Sequence, residues 1–184
     1  MASATSPGKS TATPSVTAEL AATPVSDTHL LTYSSSEVPP SNTIHPVAPI
    51  VPTPIRVQRL GNDGVTLLGS ATTILDNEGA SDEGIIEAPD LLHREGTWYL
   101  FFSANCYVNQ NYNVHYATSK SVTGPYTRAS KPLFKTGDGN GLTAPGGADV
   151  DHDGKHMVFH AQNGNGGRAM YTALLTYNGI TISA

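Results

Sequence analysis

The sequence predicts an all-β fold built from propeller blades, and three observations predict it. No window carries the 3.6-residue apolar period of an amphipathic helix. The 184 residues include 18 Gly and 13 Pro, enough to break the chain into short segments joined by turns. A set of strand motifs also recurs in order: Pro89-Asp90-Leu91 is echoed by Ala148-Asp149-Val150, Glu95-Gly96 by Asp153-Gly154, Leu100 to Ala104 by Met157 to Ala161, and Tyr116-Ala117-Thr118 by Tyr171-Thr172-Ala173. Antiparallel units of three to four strands repeating at roughly 50 residues or slightly more are the mark of propeller blades. A β-sandwich without repeats, such as a carbohydrate-binding module, is the fallback architecture.

Residues 1–54 are dominated by Ser, Thr, Ala, Pro and Val and read as a disordered tail, because such a composition buries too little apolar surface to offset chain entropy. Residues 55–184 form the folded domain. Ile55 to Leu60 alternates apolar and polar, Gly61-Asn62-Asp63-Gly64 is turn chemistry, and Val65 to Leu68 returns as the second strand of a hairpin, extended or followed by Ala71 to Leu75. A polar loop, 76–84, leads to strands at Ala88 to His93, Thr97 to Ala104 and Asn113 to Ser119, with a short one at Tyr126 to Arg128. Further strands are expected at Ala148 to Asp151, His156 to Ala161 and Ala169 to Tyr177. The glycine-rich loop 137–141 is no phosphate cradle, since neither Gly-Lys-Ser/Thr nor a helix follows it.

A formal net charge of -5 and no basic patch argue against nucleic acid as a partner. No apolar run approaches the roughly 18 residues of a membrane-spanning segment. Residues 1–9 lack the apolar core of a signal peptide, so the chain carries no visible export signal and its location stays open. Cys106 stands alone, which excludes an intrachain disulfide, and it reads as a small buried residue at a strand end. His152, His156 and His160 read as surface or strand-packed residues rather than a zinc site, with no carboxylate partner evident for the last two.

The stretch from Gly84 to Ala104 sets a carboxylate before the most aromatic strand of the chain. The phrase Glu87-Ala88-Pro89-Asp90, the return strand Trp98 to Ser103, then Tyr116 to Ser119 and Ser121 to Tyr126, resembles glycoside hydrolase family 43. The resemblance covers about residues 54–184. It implies a five-bladed β-propeller and an inverting arabinanase, arabinofuranosidase or xylosidase acting on pentose-containing plant polysaccharide such as arabinan, arabinoxylan or xylan. It further implies an Asp base, a Glu acid and a second Asp that tunes the acid. On this likeness Glu87 is the general acid, and Arg168 faces the sugar. Asn105, Tyr107 and Tyr112, in the loop after the aromatic strand, stack on or hydrogen-bond a pentose. Many relatives hold a metal ion through a His in the segment equivalent to Ala144 to Val150; this chain has Gly147 there, so neither a metal nor any other cofactor is expected.

A blade of about 57 residues lets the matched region supply two to two and a half blades, the last of the five. The expected product is therefore a truncated propeller with the acid but without the base, since Glu19, Asp27 and Glu37 upstream of Pro54 match no family motif. The alternative is a catalytically inactive fragment that binds carbohydrate or associates with another chain through exposed blade faces.

Overall fold

The computed structural model describes residues 29–34, 53–139 and 141–184. Twelve strands are found there, joined by turns and one short 3-10 turn, Gly79–Asp82. β1 (His29–Ser34), β2 (Ile55–Leu60) and β3 (Leu67–Leu75) form one antiparallel sheet. β4 (Ile86–Arg94), β5 (Thr97–Ala104), β6 (Asn113–Ser119) and β7 (Thr127–Arg128) form a second, in sequential order. β8 (Gly146–Val150), β9 (His156–Gln162) and β10 (Arg168–Leu174) form a third, and β11 (Thr176–Asn178) pairs with β12 (Thr181–Ser183) in a closing hairpin.

The central sheet is covered on both faces, which explains its composition. Every residue of β5 is buried, and its side chains alternate between two cores. Tyr99 and Phe101 join Leu92, Val114, Met157 and Phe159 against the third sheet. Trp98, Leu100 and Phe102 join Leu30, Ile55, Val57 and Leu91 against the first. A strand buried on both faces must be apolar at successive positions, and so Trp98 to Phe102 runs without a polar break. Leu100, Phe101 and Phe102 are fully buried, and each such side chain stabilises the fold by about 1.5–3 kcal/mol. Tyr99 and Tyr116 fix the closing hairpin from below, through Tyr99 Oη donating to the Gly179 carbonyl and Ile182 N donating to Tyr116 Oη.

The repeat seen in the sequence is a repeat of backbone geometry. β4 slips register against β5 between Glu87 and Asp90, and β8 slips against β9 between Gly146 and Asp149. Ala88 and Gly147, equivalent positions in the two bulges, both take positive φ, 49° and 59°. The hairpin turns also correspond: Glu95 and Gly96 have φ of 49° and 71°, the signature of a type I′ turn, and Gly154 has 70°.

Three expectations change. The tail is corrected at His29–Ser34, which pairs along its whole length with β2 and buries Leu30 and Thr32; the rest of 1–52 lies outside the described residues. Six residues are enough here because the partner strand supplies the ladder and the core that the segment lacks by itself. With β1 in place the first sheet is three-stranded, and three sheets precede the closing hairpin. The last strand also ends earlier than expected: the buried Leu175 donates its N–H to the Lys155 carbonyl and turns the chain, and β11 and β12 follow around Gly179-Ile180. Elsewhere the hairpin of β2 and β3 forms as read, except that Val65 and Thr66 stay in the turn, held by Asp63 Oδ1 at 3.1 and 2.9 Å.

Candidate active site

Glu87 is the second residue of β4, opposite Ser103 on β5, at the foot of the bulge. Pro89 lies inside that bulge, where its missing N–H costs the ladder nothing, and Ala88 accepts the left-handed backbone that turns the strand. The result is a half-buried carboxylate at a strand end. Its Oε1 accepts a hydrogen bond from Tyr112 Oη at 2.8 Å.

Tyr112 comes from the loop between β5 and β6 and is only 2% exposed. Its ring lies against Gly146, where a β-carbon would stand 1.9 Å from Tyr112 Cε1. Burial pushes the phenol well above its ordinary pKa, and the Glu87 charge pushes it further. The expectation that Tyr112 stacks on a sugar is corrected by this burial, because no ring face is left for a ligand.

Arg168 opens β10 and faces inward over the same ring, its guanidinium 5.3 Å from the Tyr112 centroid. Its Nε donates to His160 Nδ1 at 2.5 Å, Nη2 to the carbonyls of Ala144 at 2.5 Å and His160 at 3.1 Å, and Nη1 to the Tyr107 carbonyl at 3.3 Å. His160 can accept at Nδ1 only as the neutral imidazole. Desolvation, and after it the Arg168 charge, hold its pKa below the usual value. Desolvation likewise lowers that of Arg168.

Tyr107 and Arg168 line a groove of about 350 Å³ together with Val108, Gln162 and the glycine-rich loop of Gly164, Gly166 and Gly167. Asn105 does not join them. It is 6% exposed, sits at φ 71°, and its amide donates to the Asn111 carbonyl at 3.2 Å, so it shapes the loop from within. Glu87, Tyr112 and Arg168 are thus brought together, Tyr107 borders the groove beside Arg168, and Asn105 is turned inward. Sequence reading missed His160, Ser103 and Gly146. Aligning the two repeats offered a signal, since it sets Gly146-Gly147 against Glu87-Ala88.

The acids nearest Glu87 in sequence are already engaged. Asp82 takes two hydrogen bonds from Arg128, both 2.8 Å, and Glu83 holds Cys106 N and the amides of Asn109 and Asn111. Asp90 accepts the Val150 N–H across the sheet interface.

A metal at the family's channel position does not fit these residues. Gly147 supplies no ligand, and His160 fills the space beside it, with Nε2 2.4 Å from where a β-carbon would stand and Nδ1 taken by Arg168. The other histidines differ from expectation in one respect: His156 does have a carboxylate partner, Asp153 Oδ2 at 2.6 Å, with Asp151 close by on the exposed turn between β8 and β9. That turn lies at the far end of β9 from His160, and three histidines do not converge there.

Comparison with known proteins bears on the fold and the family. A beta-D-galactofuranosidase xynD of Aspergillus niger is 30% identical over 106 residues, which make up 56% of this chain and 29% of that protein. The extracellular endo-alpha-(1->5)-L-arabinanase 1 of Bacillus subtilis is 37% identical over 92 residues, 45% of this chain and 28% of that protein. The chain therefore spans less than a third of the length of these curated relatives. Among solved structures, a thermostable family-43 glycoside hydrolase superimposes with a TM-score of 0.68 at 22% identity, over 85% of this chain and 53% of that one. The fold is accordingly part of a β-propeller. The model of glycosyl hydrolases family 43 matches residues 49–179, most of the chain, and this protein belongs to that family.

Proposed function

We propose that this chain is the acid-bearing part of an inverting glycosidase that hydrolyses O-glycosyl bonds in pentose-containing plant polysaccharide, arabinan, arabinoxylan or xylan. The observation that carries the reading is Glu87, a half-buried carboxyl on a bulge, with one oxygen fixed by Tyr112, in the residue that the family resemblance of the sequence marks as the acid. The names of the relatives, an arabinanase and a galactofuranosidase, support a furanose or pentose substrate. Glu87 would protonate the leaving oxygen. Arg168 and Tyr107 border the groove in which the sugar would lie. Inversion also needs a carboxylate about 6.5–9.5 Å from the acid to activate water. Asp82, Glu83 and Asp90, the acids nearest Glu87 in sequence, are committed elsewhere, and none of them is proposed as the base, which this chain is expected to lack.

The test is hydrolysis of aryl pentosides and arabino-oligosaccharides by the purified chain and by Glu87→Gln. Without its base the chain should turn over about 10²–10⁴-fold more slowly than a complete family enzyme, and Glu87→Gln should abolish what remains. Activity that survives Glu87→Gln sinks the acid assignment.

A second reading, a non-catalytic propeller piece that binds carbohydrate or associates with another chain, rests on a different observation. Val158, Met170 and Leu174 are exposed on β9 and β10, at 41%, 76% and 67%. A concentration-dependent sedimentation coefficient that reverts to the monomer value in Met170→Lys/Leu174→Lys, with no detectable hydrolysis, favours this reading.

A further inference from the structure

If Glu87 is the proton donor, something must hold its carboxyl in a fixed orientation. The repeat indicates what does. Gly146 and Gly147 occupy the bulge of the third sheet that corresponds to Glu87 and Ala88 in the second, and each lacks a side chain where an aromatic ring enters: Tyr112 at Gly146, His160 at Gly147. The two rings stack at 6.2 Å with 20° between their planes, and the Arg168 guanidinium covers Tyr112. The phenol is therefore held by groups from three separate segments of chain.

One hydrogen bond links this socket to Glu87: Tyr112 Oη donates to Oε1 at 2.8 Å. On the strand opposite Glu87, Gly147 N–H donates to Ser103 Oγ at 2.8 Å and ties the two bulges together. We propose that Tyr112 is a positioning residue: the space at Gly146, with His160 and Arg168 packed on the ring, holds the phenol to donate to Oε1, which fixes the orientation of the Glu87 carboxyl. The role of Tyr112 is thus to orient the acid, and it needs no contact with sugar. The phenol remains protonated wherever a carboxyl titrates, because burial and the Glu87 charge move its ionisation to much higher pH. This inference rests on the acid reading for its catalytic meaning, while the hydrogen bond between Tyr112 and Glu87 stands or falls separately.

The experiment is a pH titration of the Glu87 side-chain carboxyl carbon by NMR in the ¹³C-glutamate-labelled full chain, with the resonance assigned by its loss in Glu87→Gln. Donation to a carboxylate is stronger than donation to a neutral carboxyl, so Tyr112→Phe should raise the Glu87 pKa by about one unit. Arg168 stays cationic throughout and does not imitate the shift. A Glu87 pKa unchanged in a folded Tyr112→Phe overturns the proposal. Should Tyr112→Phe not fold, the Tyr112 Cζ resonance of the unmodified chain serves instead: it should move as Glu87 titrates and lose that inflection in Glu87→Gln, and a flat resonance overturns the proposal equally. Hydrolysis that is indifferent to Glu87→Gln would remove the catalytic reading and leave the titration result intact, so the two failures are distinguishable.

Discussion

Asp90 Oδ2 accepts the Val150 N–H at 2.9 Å, with both residues buried, and so ties the inner strand of one sheet to the inner strand of the next. The bond sits just past the bulge that aims Glu87, and the two equivalent strands share the load. Replacing Asp90 by Ala leaves the Val150 N–H buried without that acceptor, which costs about 1–3 kcal/mol. Urea unfolding should show stability falling by that amount, with Asp90→Asn retaining part of it. An unchanged midpoint in Asp90→Ala would mean that water replaces the bond.

Arg128 anchors the loop that leads to Glu87. It grips Asp82 with two nitrogens, its side chain 10% exposed against 4% for Asp82, and covers the Phe102 ring at 4.9 Å. Removing one member of a buried ion pair strands the other, at a cost of about 3–5 kcal/mol. Arg128→Met should therefore lower stability by several kcal/mol, and Arg128→Lys by less than that but not by zero, because lysine cannot make the two-pronged contact. Thermal unfolding of the two variants checks the order.

Acid should loosen the second sheet through a half-buried histidine. Desolvation, and then the Arg128 charge, lower the His115 pKa to about 4, against the partial opposing effect of Asp82. The ring stacks on Phe102 at 5.6 Å. Above about pH 6.5 the imidazole is neutral whether the chain is folded or unfolded, so its contribution is intact there. Between about 6.5 and 4 the unfolded chain gains the proton first, and stability declines through that window by up to about 3 kcal/mol. His115→Phe should flatten much of this slope in urea titrations at stepped pH. Of the part that persists, the upper portion belongs to His160, whose pKa is shifted in the same direction, and the portion nearer pH 4 also contains Glu83, whose hydrogen bonds hold its pKa below the usual value.

Two glycines separate backbone strain from lost space. At Gly96, φ is 71° and no atom lies within 4 Å of the point where a methyl would stand, so Gly96→Ala should cost about 1–2 kcal/mol from conformation alone. Gly146→Ala would place its methyl within the Tyr112 ring, so it should cost more and also shift the Glu87 titration. Equal stability losses for the two, with Glu87 unmoved, would remove the socket from the account.

Much of the core was legible because the physics is local. The bare run Trp98 to Phe102 announces a strand covered on both sides, and Glu95-Gly96 announces its turn. The hairpin β11–β12 escaped because it is only three residues a side; its one signal, a two-residue loop beginning with Gly179, is easily lost beside Tyr177. β1 escaped because its stability comes from β2 and from the Leu30 contact across the sheet, neither of which its composition reveals.

For the site, the sequence by itself determined the strand order and the repeat, and its family resemblance singled out Glu87 as the proposed acid. Those features depend on side-chain pattern and turn residues within a few positions of each other. Only the tertiary structure decided what Tyr112, Arg168 and His160 do. Their partners lie 8 to 61 residues away in the chain, and which of them faces a groove or a neighbouring ring follows from the two bulges and from the space left open at Gly146 and Gly147.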